Sequence, residues 1–133
     1  MFAGVADTHA ALWFLFGDPR LSTTAKRFFE TAARERRKIV LASISLAEVV
    51  YLVEKNRLPA TAFEDLTTAI RNPNHVLEEA ALTSGVAAAM RLVPRDAVPD
   101  MPDRIVAATA VYLGVPVISR DGRIRASSVQ TIW

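Results

Sequence analysis

Residues 2–7 read Phe-Ala-Gly-Val-Ala-Asp, and this stretch sets the fold class. Five small or apolar residues in a row, ended by an acid, predict a short strand that is buried on both faces. Residues 39–42, Ile-Val-Leu-Ala, repeat the pattern. Further strands are predicted at residues 76–80, 116–119 and 129–133.

Helical patterns separate these strands. Helices are predicted at residues 10–16, from the N-cap Ser22 to about Arg37, and at residues 45–57, 60–71, 83–92 and 103–113, with loops at 94–102 and 120–127. Gly114 is expected to end the last of these helices. Buried strands that alternate with helices indicate an α/β domain, with a short central parallel sheet covered by helices on both faces.

Composition limits the chemistry that this chain can perform. Its 133 residues suit one domain, which we assign to residues 1–133. The sequence has no cysteine and two histidines, so a metal site would need oxygen ligands. The net charge of +2 permits nucleic-acid binding without proving it. Because no apolar run could span a bilayer and the N-terminus does not resemble a signal peptide, we expect a cytoplasmic protein without membrane contact.

Acidic residues recur where the strands of such a sheet should end. Asp7 ends the first strand, and Glu48 lies in the first turn of the helix after the second strand. Asp103 begins a helix roughly 16 Å long, and the following strand returns by roughly the same length. Asp103 should therefore lie level with Asp121. Since ligands of parallel sheets gather beyond the carboxyl ends of the strands, these four carboxylates are expected to converge there.

Most of these acids also have a purely structural explanation. Glu48 follows Ser45 at the spacing of a capping box, which would by itself account for an acid there. Asp103 occupies a first helical turn, where the helix dipole favours an acid. Asp121-Gly122 is a common turn pair. Asp100 is expected to be the N-cap of the helix that contains Asp103, with at most an auxiliary role at a metal.

Asp7 is the hardest of the acids to explain structurally, because a carboxylate that ends a buried strand is costly without compensation. Four anions in one small cleft would also repel one another and raise their pKa values. A divalent cation is the simplest partner for such a cluster, and oxygen-only ligands indicate Mg²⁺ or Mn²⁺. The matching chemistry is hydrolysis of a phosphodiester by a metal-activated water.

The chain resembles PIN-domain ribonucleases, specifically the VapC-type toxins of bacterial toxin–antitoxin pairs. The similarity is carried by four stretches in the expected order: Val-Ala-Asp-Thr-His-Ala-Ala-Leu-Trp at 5–13, Ser-Ile-Ser-Leu-Ala-Glu-Val at 43–49, Asp-Met-Pro-Asp-Arg-Ile-Val-Ala-Ala-Thr-Ala at 100–110 and Val-Ile-Ser-Arg-Asp at 117–121. The ordered set is specific, whereas no single motif is, and it covers essentially the whole domain.

The resemblance implies a catalytic quartet that binds Mg²⁺ or Mn²⁺ and activates water, formed by Asp7, Glu48, Asp103 and Asp121. It also implies an endoribonuclease that cleaves RNA, often tRNA or ribosomal RNA. Such toxins are held inactive by a cognate VapB-like antitoxin and usually form homodimers. Ser119 stands where these enzymes often have a threonine or serine that hydrogen-bonds a ligand carboxylate or water.

Polar residues beside the acids are candidates for substrate binding, and we assign this role to Thr8, Arg104, Ser119, Arg120 and Arg123. For Arg120 and Arg123, simple ion pairing with the acids is the alternative. The basic run at residues 34–38 is better explained as a helix end that complements its dipole. His9 is interpreted as a turn or packing residue. Residues 13–16 contain three aromatics, whose first interpretation is core packing and whose exposed part could form an antitoxin groove.

Three other functions compete with this hypothesis. A PIN-fold nuclease could act on another RNA or on structured DNA, and comparing cleavage of the two would separate these cases. A receiver-like phospho-acceptor would need paired acids at the first strand and a late lysine, whereas Asp7 is followed by Thr8 and no lysine ends residues 116–119. A non-catalytic binding module would not need all four acids.

Overall fold

A computed structural model describes residues 2–133 of the chain. The elements are, in order, β1 (Phe2–Ala6), α1 (Thr8–Phe16), α2 (Thr23–Arg34), β2 (Lys38–Ala42), α3 (Ser43–Glu54), α4 (Ala62–Arg71), β3 (Leu77–Ala80), α5 (Ser84–Ala89), a 3₁₀ turn (Met90–Leu92), α6 (Met101–Leu113), β4 (Val117–Ile118), α7 (Gly122–Ala126) and β5 (Thr131–Ile132). None of the helices in this described part has the length and apolar character needed to cross a bilayer.

The five strands form one parallel sheet in the order β3-β2-β1-β4-β5. Strand β1 lies at the centre, where Val5 pairs with Val40 of β2 on one side and with Val117 of β4 on the other. Parallel pairing brings the carboxyl ends of all strands to one edge. The predicted α/β fold with a short parallel sheet is confirmed.

Helices cover both faces of the sheet, as the continuously apolar strands predicted. Along β2, Ile39 and Leu41 pack into one hydrophobic cluster, and Val40 and Ala42 pack into a second. Helices α1 to α4 contribute to the first cluster and helices α5 to α7 to the second. This alternation follows from the two-residue period of a strand, so each apolar residue of β2 buries its side chain against a different helical layer.

The basic run at residues 34–38 forms the predicted helix end only in part, because Arg34 lies in the last turn of α2 and Lys38 already belongs to β2. Helix α2 ends at Arg34, Arg36 has a positive φ of 56°, and Lys38 begins β2. Residues 36–38 line a cavity of about 500 Å³ at the amino end of β2. This cavity lies at the opposite edge of the sheet from Asp7, because Asp7 follows the carboxyl end of the parallel neighbour β1.

Two local signals correctly mark helix ends, and one predicted loop is wrong. Gly114 adopts a left-handed φ of 68° and ends α6, as predicted. Asp100 accepts a hydrogen bond from the Asp103 N–H at 3.2 Å and caps the start of α6, also as predicted. Residues 120–127 contain the short helix α7 rather than only a loop, because Asp121 caps it and Ile124 buries its side chain in the core.

The capping box predicted at Ser45 and Glu48 is not formed. Helix α3 already begins at Ser43, with Ala42 as a cap residue that provides no side-chain hydrogen bond. Ser45 therefore lies inside the helix, and its fully buried hydroxyl has no hydrogen-bond partner within residues 2–133. A buried polar group without a partner lowers the free energy of unfolding.

We predict that Ser45→Ala raises the free energy of unfolding by about 1 kcal/mol, because it removes an unsatisfied buried hydroxyl. Ser43→Ala is the matched control on the same helix, since the Ser43 hydroxyl accepts a hydrogen bond from the Leu82 N–H at 3.1 Å. That variant should lower the same quantity. Urea unfolding of both variants measures the difference, and a destabilised Ser45→Ala protein would contradict this explanation.

Candidate active site

Asp7 is fixed at the carboxyl edge of the sheet by both its backbone and its side chain. Its N–H donates to the Ile118 carbonyl at 3.0 Å, which continues the pairing of β1 with β4. Its Oδ1 accepts a hydrogen bond from the Ala10 N–H at 2.8 Å and so caps α1. The carboxylate that ends the buried central strand is therefore also a helix cap, and its orientation is set by two elements at once.

Ser119 connects Asp7 with Asp121. Its hydroxyl donates to Asp7 Oδ2 and accepts from the Asp121 N–H at 2.9 Å. Ser119 is fully buried, so this hydroxyl is committed to the two acids. The Asp121 carboxylate in turn accepts the N–H groups of Arg123 and Ile124, each at 2.9 Å, at the start of α7.

Glu48 is held by a side chain from another helix. Thr8 Oγ1 donates to Glu48 Oε1 at 2.7 Å and links the first turn of α1 to α3. Thr8 is buried, and Glu48 is only partly exposed. The carboxylate is thus held at the site by Thr8 rather than turned back to cap its own helix.

The four predicted acids line one cavity of about 430 Å³. Its lining includes five acids, Asp7, Glu48, Asp100, Asp103 and Asp121. The other lining residues are polar, aromatic or basic, namely Thr8, His9, Trp13, Arg20 and Arg120. Side chains from four separate segments of the chain therefore meet in one concave site at the carboxyl edge of the sheet.

The acids in this cavity disfavour one another's charged forms. Burial raises the pKa of Asp103 to about 7, and the negative charges of Asp100, Asp121, Glu48 and Asp7 add to the increase. Burial also raises the pKa of Asp7, although the hydrogen bonds from Ser119 and Ala10 oppose that shift. Within residues 2–133, the two ion pairs join Arg20 to Asp18 and Arg37 to Glu35, and neither involves an acid of the cavity.

Comparison with known proteins gives a family for this architecture. A family model described as the PIN domain matches residues 5–128. The chain belongs to the PIN-domain family. Ribonuclease VapC22 of Mycobacterium tuberculosis is 30% identical to this PIN domain over 120 residues, which cover 90% of this chain and 88% of that protein. The predicted resemblance to VapC-type PIN domains is confirmed.

A solved structure shares the fold of this PIN domain over nearly its whole length. It is the crystal structure of VapBC2 from Rickettsia felis bound to a DNA fragment from their promoter. The TM-score is 0.71, and the match covers 98% of this chain and 97% of that chain at 13% sequence identity. At this identity the similarity shows the fold alone.

Only two of the five predicted substrate-binding residues line the cavity. Thr8 and Arg120 line the cavity. Ser119 lies outside the lining, buried and bonded to Asp7, so in this structure it positions an acid. The guanidinium of Arg104 donates to the carbonyls of Val93 and Met90 at 2.8 Å each. Arg123 is exposed on α7 and does not line the cavity. A substrate-binding role for Ser119, Arg104 and Arg123 stays a prediction.

Three cavity residues were not predicted as binding residues: His9, Trp13 and Arg20. The His9 ring lies 5.6 Å from the Trp13 ring, so the packing role expected for His9 is combined with a place in the cavity wall. Arg20 follows the turn at Asp18, whose carboxylate it binds. The only signal in the sequence was this Asp-Pro-Arg turn directly after an aromatic helix.

The donor set of the cavity fits a hard divalent cation. Its five acids offer oxygen donors only, and burial together with the charges of the neighbouring acids raises the pKa of Asp103. Within the described residues, no three His, Cys, Asp or Glu side chains are yet grouped closely enough to hold an ion. The fit is therefore one of charge and ligand chemistry rather than of a preformed coordination shell.

We predict that, in the metal-free protein, the contribution of Asp103 to the free energy of unfolding falls as pH rises from about 4 to about 7. Its folded-state pKa of about 7 exceeds the ordinary value of 3.8, so the folded state binds the proton more tightly in this window. The proton-linked stabilisation is complete below 3.8 and is lost as pH rises through 7.

Asp103→Asn should remove this dependence, and chemical unfolding in EDTA at several pH values measures the difference between the two proteins. The comparison of the two proteins is needed because other groups also make stability depend on pH. Burial and the charge of Lys38 lower the pKa of His75, so its contribution to the free energy of unfolding changes with pH in the opposite direction. Parallel pH profiles for the wild type and Asp103→Asn would contradict the predicted titration.

Proposed function

We propose that this PIN domain, formed by residues 1–133, is a Mg²⁺- or Mn²⁺-dependent endoribonuclease and the toxin of a toxin–antitoxin pair. It would hydrolyse RNA phosphodiester bonds, with tRNA or ribosomal RNA as the expected substrates. The observation that carries the proposal is the convergence of four carboxylates from distant segments in one cavity. The name of the relative from Mycobacterium tuberculosis, a ribonuclease, supports the choice of RNA.

The residues that would hold the cation are Asp7, Glu48, Asp103 and Asp121. A bound divalent cation supplies a water of lowered pKa and stabilises the negative charge that develops on the phosphate. The chain itself contributes positioning. Ser119 holds Asp7, Thr8 holds Glu48, and Asp100 caps the helix that carries Asp103.

The same cavity offers a place for the phosphate. Five carboxylates alone would repel an RNA backbone, whereas the guanidinium of Arg120 lies in the same wall and contributes positive charge. The cavity has no cysteine or serine nucleophile, since the chain lacks cysteine and the nearby Ser119 is buried behind the acids. Water activation is therefore the chemistry that this set of residues supports best.

Regulation by a VapB-like antitoxin, assembly as a homodimer and a cytoplasmic location are part of the same proposal. They rest on membership of the VapC-type PIN domains, and the matched crystal structure from Rickettsia felis is of VapBC2. Co-expression with the product of an adjacent small open reading frame, followed by purification and light scattering, tests the antitoxin and the dimer together.

We predict that Asp7→Asn abolishes Mg²⁺-dependent RNA cleavage, with a loss of at least about a hundredfold, because it removes a central ligand charge. The substitution keeps the shape of the side chain and its hydrogen bond to Ala10. Cleavage of total RNA with Mg²⁺ and with EDTA, together with growth after induction, measures the effect. Asp96→Asn is the matched control, since Asp96 is exposed and outside the cavity.

Full cleavage and full toxicity of a well-folded Asp7→Asn protein would overturn the proposed function. The same assay with structured DNA separates the alternatives. Cleavage of structured DNA in place of RNA would retain the PIN-fold nuclease and exclude the ribonuclease. Absence of any cleavage by the wild type would favour a non-catalytic binding module.

A further inference from the structure

Two arginines from different parts of the chain lie over the ring of Trp13. The Cζ of Arg20 lies 4.9 Å from the centre of the ring, and the Cζ of Arg120 lies 4.6 Å from it. Arg20 comes from the turn after α1, whereas Arg120 comes from the segment after β4. Both distances are within the range of cation–π contacts, so the indole fixes two guanidinium groups in the same wall of the cavity.

These two arginines do not neutralise the acids of the cavity. Arg20 is paired with Asp18, to which Nε and Nη2 donate at 3.1 and 2.8 Å. This fork uses two of the five N–H groups of the guanidinium and leaves the Nη1 group available. Arg120 has no side-chain hydrogen bond or ion pair to any residue between 2 and 133, and it is exposed. The cavity is therefore lined both by acids and by two arginines that form no ion pair with them.

Unpaired acids and arginines in one cavity suit an extended anion better than a single small one. A chain of phosphates can place one group near the acids, where a divalent cation would hold it, and a neighbouring group near the arginines. Guanidinium groups bind phosphate oxygens through pairs of N–H donors, and their fixed planes make that binding directional.

We propose that Arg120, assisted by Arg20, binds an RNA backbone phosphate next to the scissile one, and that Trp13 is the positioning residue for both guanidiniums. The proposal rests on the proposed function, which places the scissile phosphate at the carboxylates. Trp13 itself is buried, so its role is to orient the arginines and not to stack a base.

Binding of a labelled single-stranded RNA to uncleaving protein tests this assignment. In an Asp7→Asn background with Mg²⁺, Arg120→Gln should weaken binding by about tenfold, because a charged hydrogen-bonding group is lost. The slope of log K against log salt should fall by about 0.7, the value for one phosphate contact on a single strand. Arg20→Gln should give a smaller change in slope and a smaller loss of affinity, since Arg120 still contacts the phosphate and Asp18 shares the charge of Arg20.

Arg57→Gln is the matched control, because it removes the same charge elsewhere. Helix α3 starts at the edge of the site and runs away from it for 12 residues, so Arg57 lies near the other end of the molecule. It should change neither affinity nor salt slope. Trp13→Phe should reproduce part of the arginine effect in a folded protein, and it should add little when Arg20 and Arg120 are already replaced.

The proposal is overturned if Arg120→Gln and Arg57→Gln have the same dissociation constant and the same salt slope. That result would leave the proposed function intact, provided that Asp7→Asn abolishes cleavage. Conversely, an active Asp7→Asn protein would contradict the proposed function whatever the arginine variants do. A single-stranded DNA of the same sequence should show the same loss with Arg120→Gln, because the contact is to phosphate.

Discussion

The hydrogen-bonded link from Asp7 through Ser119 to Asp121 is the interaction on which the site depends. Parallel pairing of β1 with β4 brings Ala6 opposite Ile118, so the residues that follow both strands emerge side by side. The buried Ser119 hydroxyl then orients one acid and fixes the backbone of the other. This register places Asp7 and Asp121 close enough for one serine hydroxyl to join them.

The same arrangement brings like charges together at a cost in stability. The pKa of Asp103 reaches about 7 because burial and four neighbouring acids disfavour its charged form. Hydrogen bonds to Asp7 and Glu48 offset part of this cost. The hydrophobic clusters on both faces of the sheet stabilise the fold against the remainder. Strain of this kind is typical of functional sites, where charge is assembled for a ligand rather than for the fold.

The sequence predicted the parts of the structure that depend on local patterns and on element lengths. The return of Asp103 to the level of Asp121 followed from the lengths of a helix and a strand, and Gly114 correctly marked the end of that helix. The capping box at Ser45 was not formed because α3 begins at Ser43, so Ser45 lies inside the helix and Glu48 accepts a hydrogen bond from Thr8 instead.

Sequence patterns could not predict that Arg20 and Arg120 lie together in the cavity lining. Arg20 and Arg120 are 100 positions apart, and only the folded chain brings both against Trp13. Among the arginines next to the acids in sequence, Arg120 alone lines the cavity. Arg104 turns to the carbonyls of Val93 and Met90, because the direction of a helical side chain is set by its position on the helix surface.

The central claim is that one divalent cation site is formed where the four acids converge. Titration of the isotope-labelled protein with Mn²⁺, followed by paramagnetic broadening of its amide NMR signals, tests this most directly. We expect the signals of Asp7, Glu48, Asp103 and Asp121 to disappear first, at sub-stoichiometric Mn²⁺. Earlier loss at other acids, such as Glu64 and Asp65 in the first turn of α4, would contradict it, as would the absence of selective broadening.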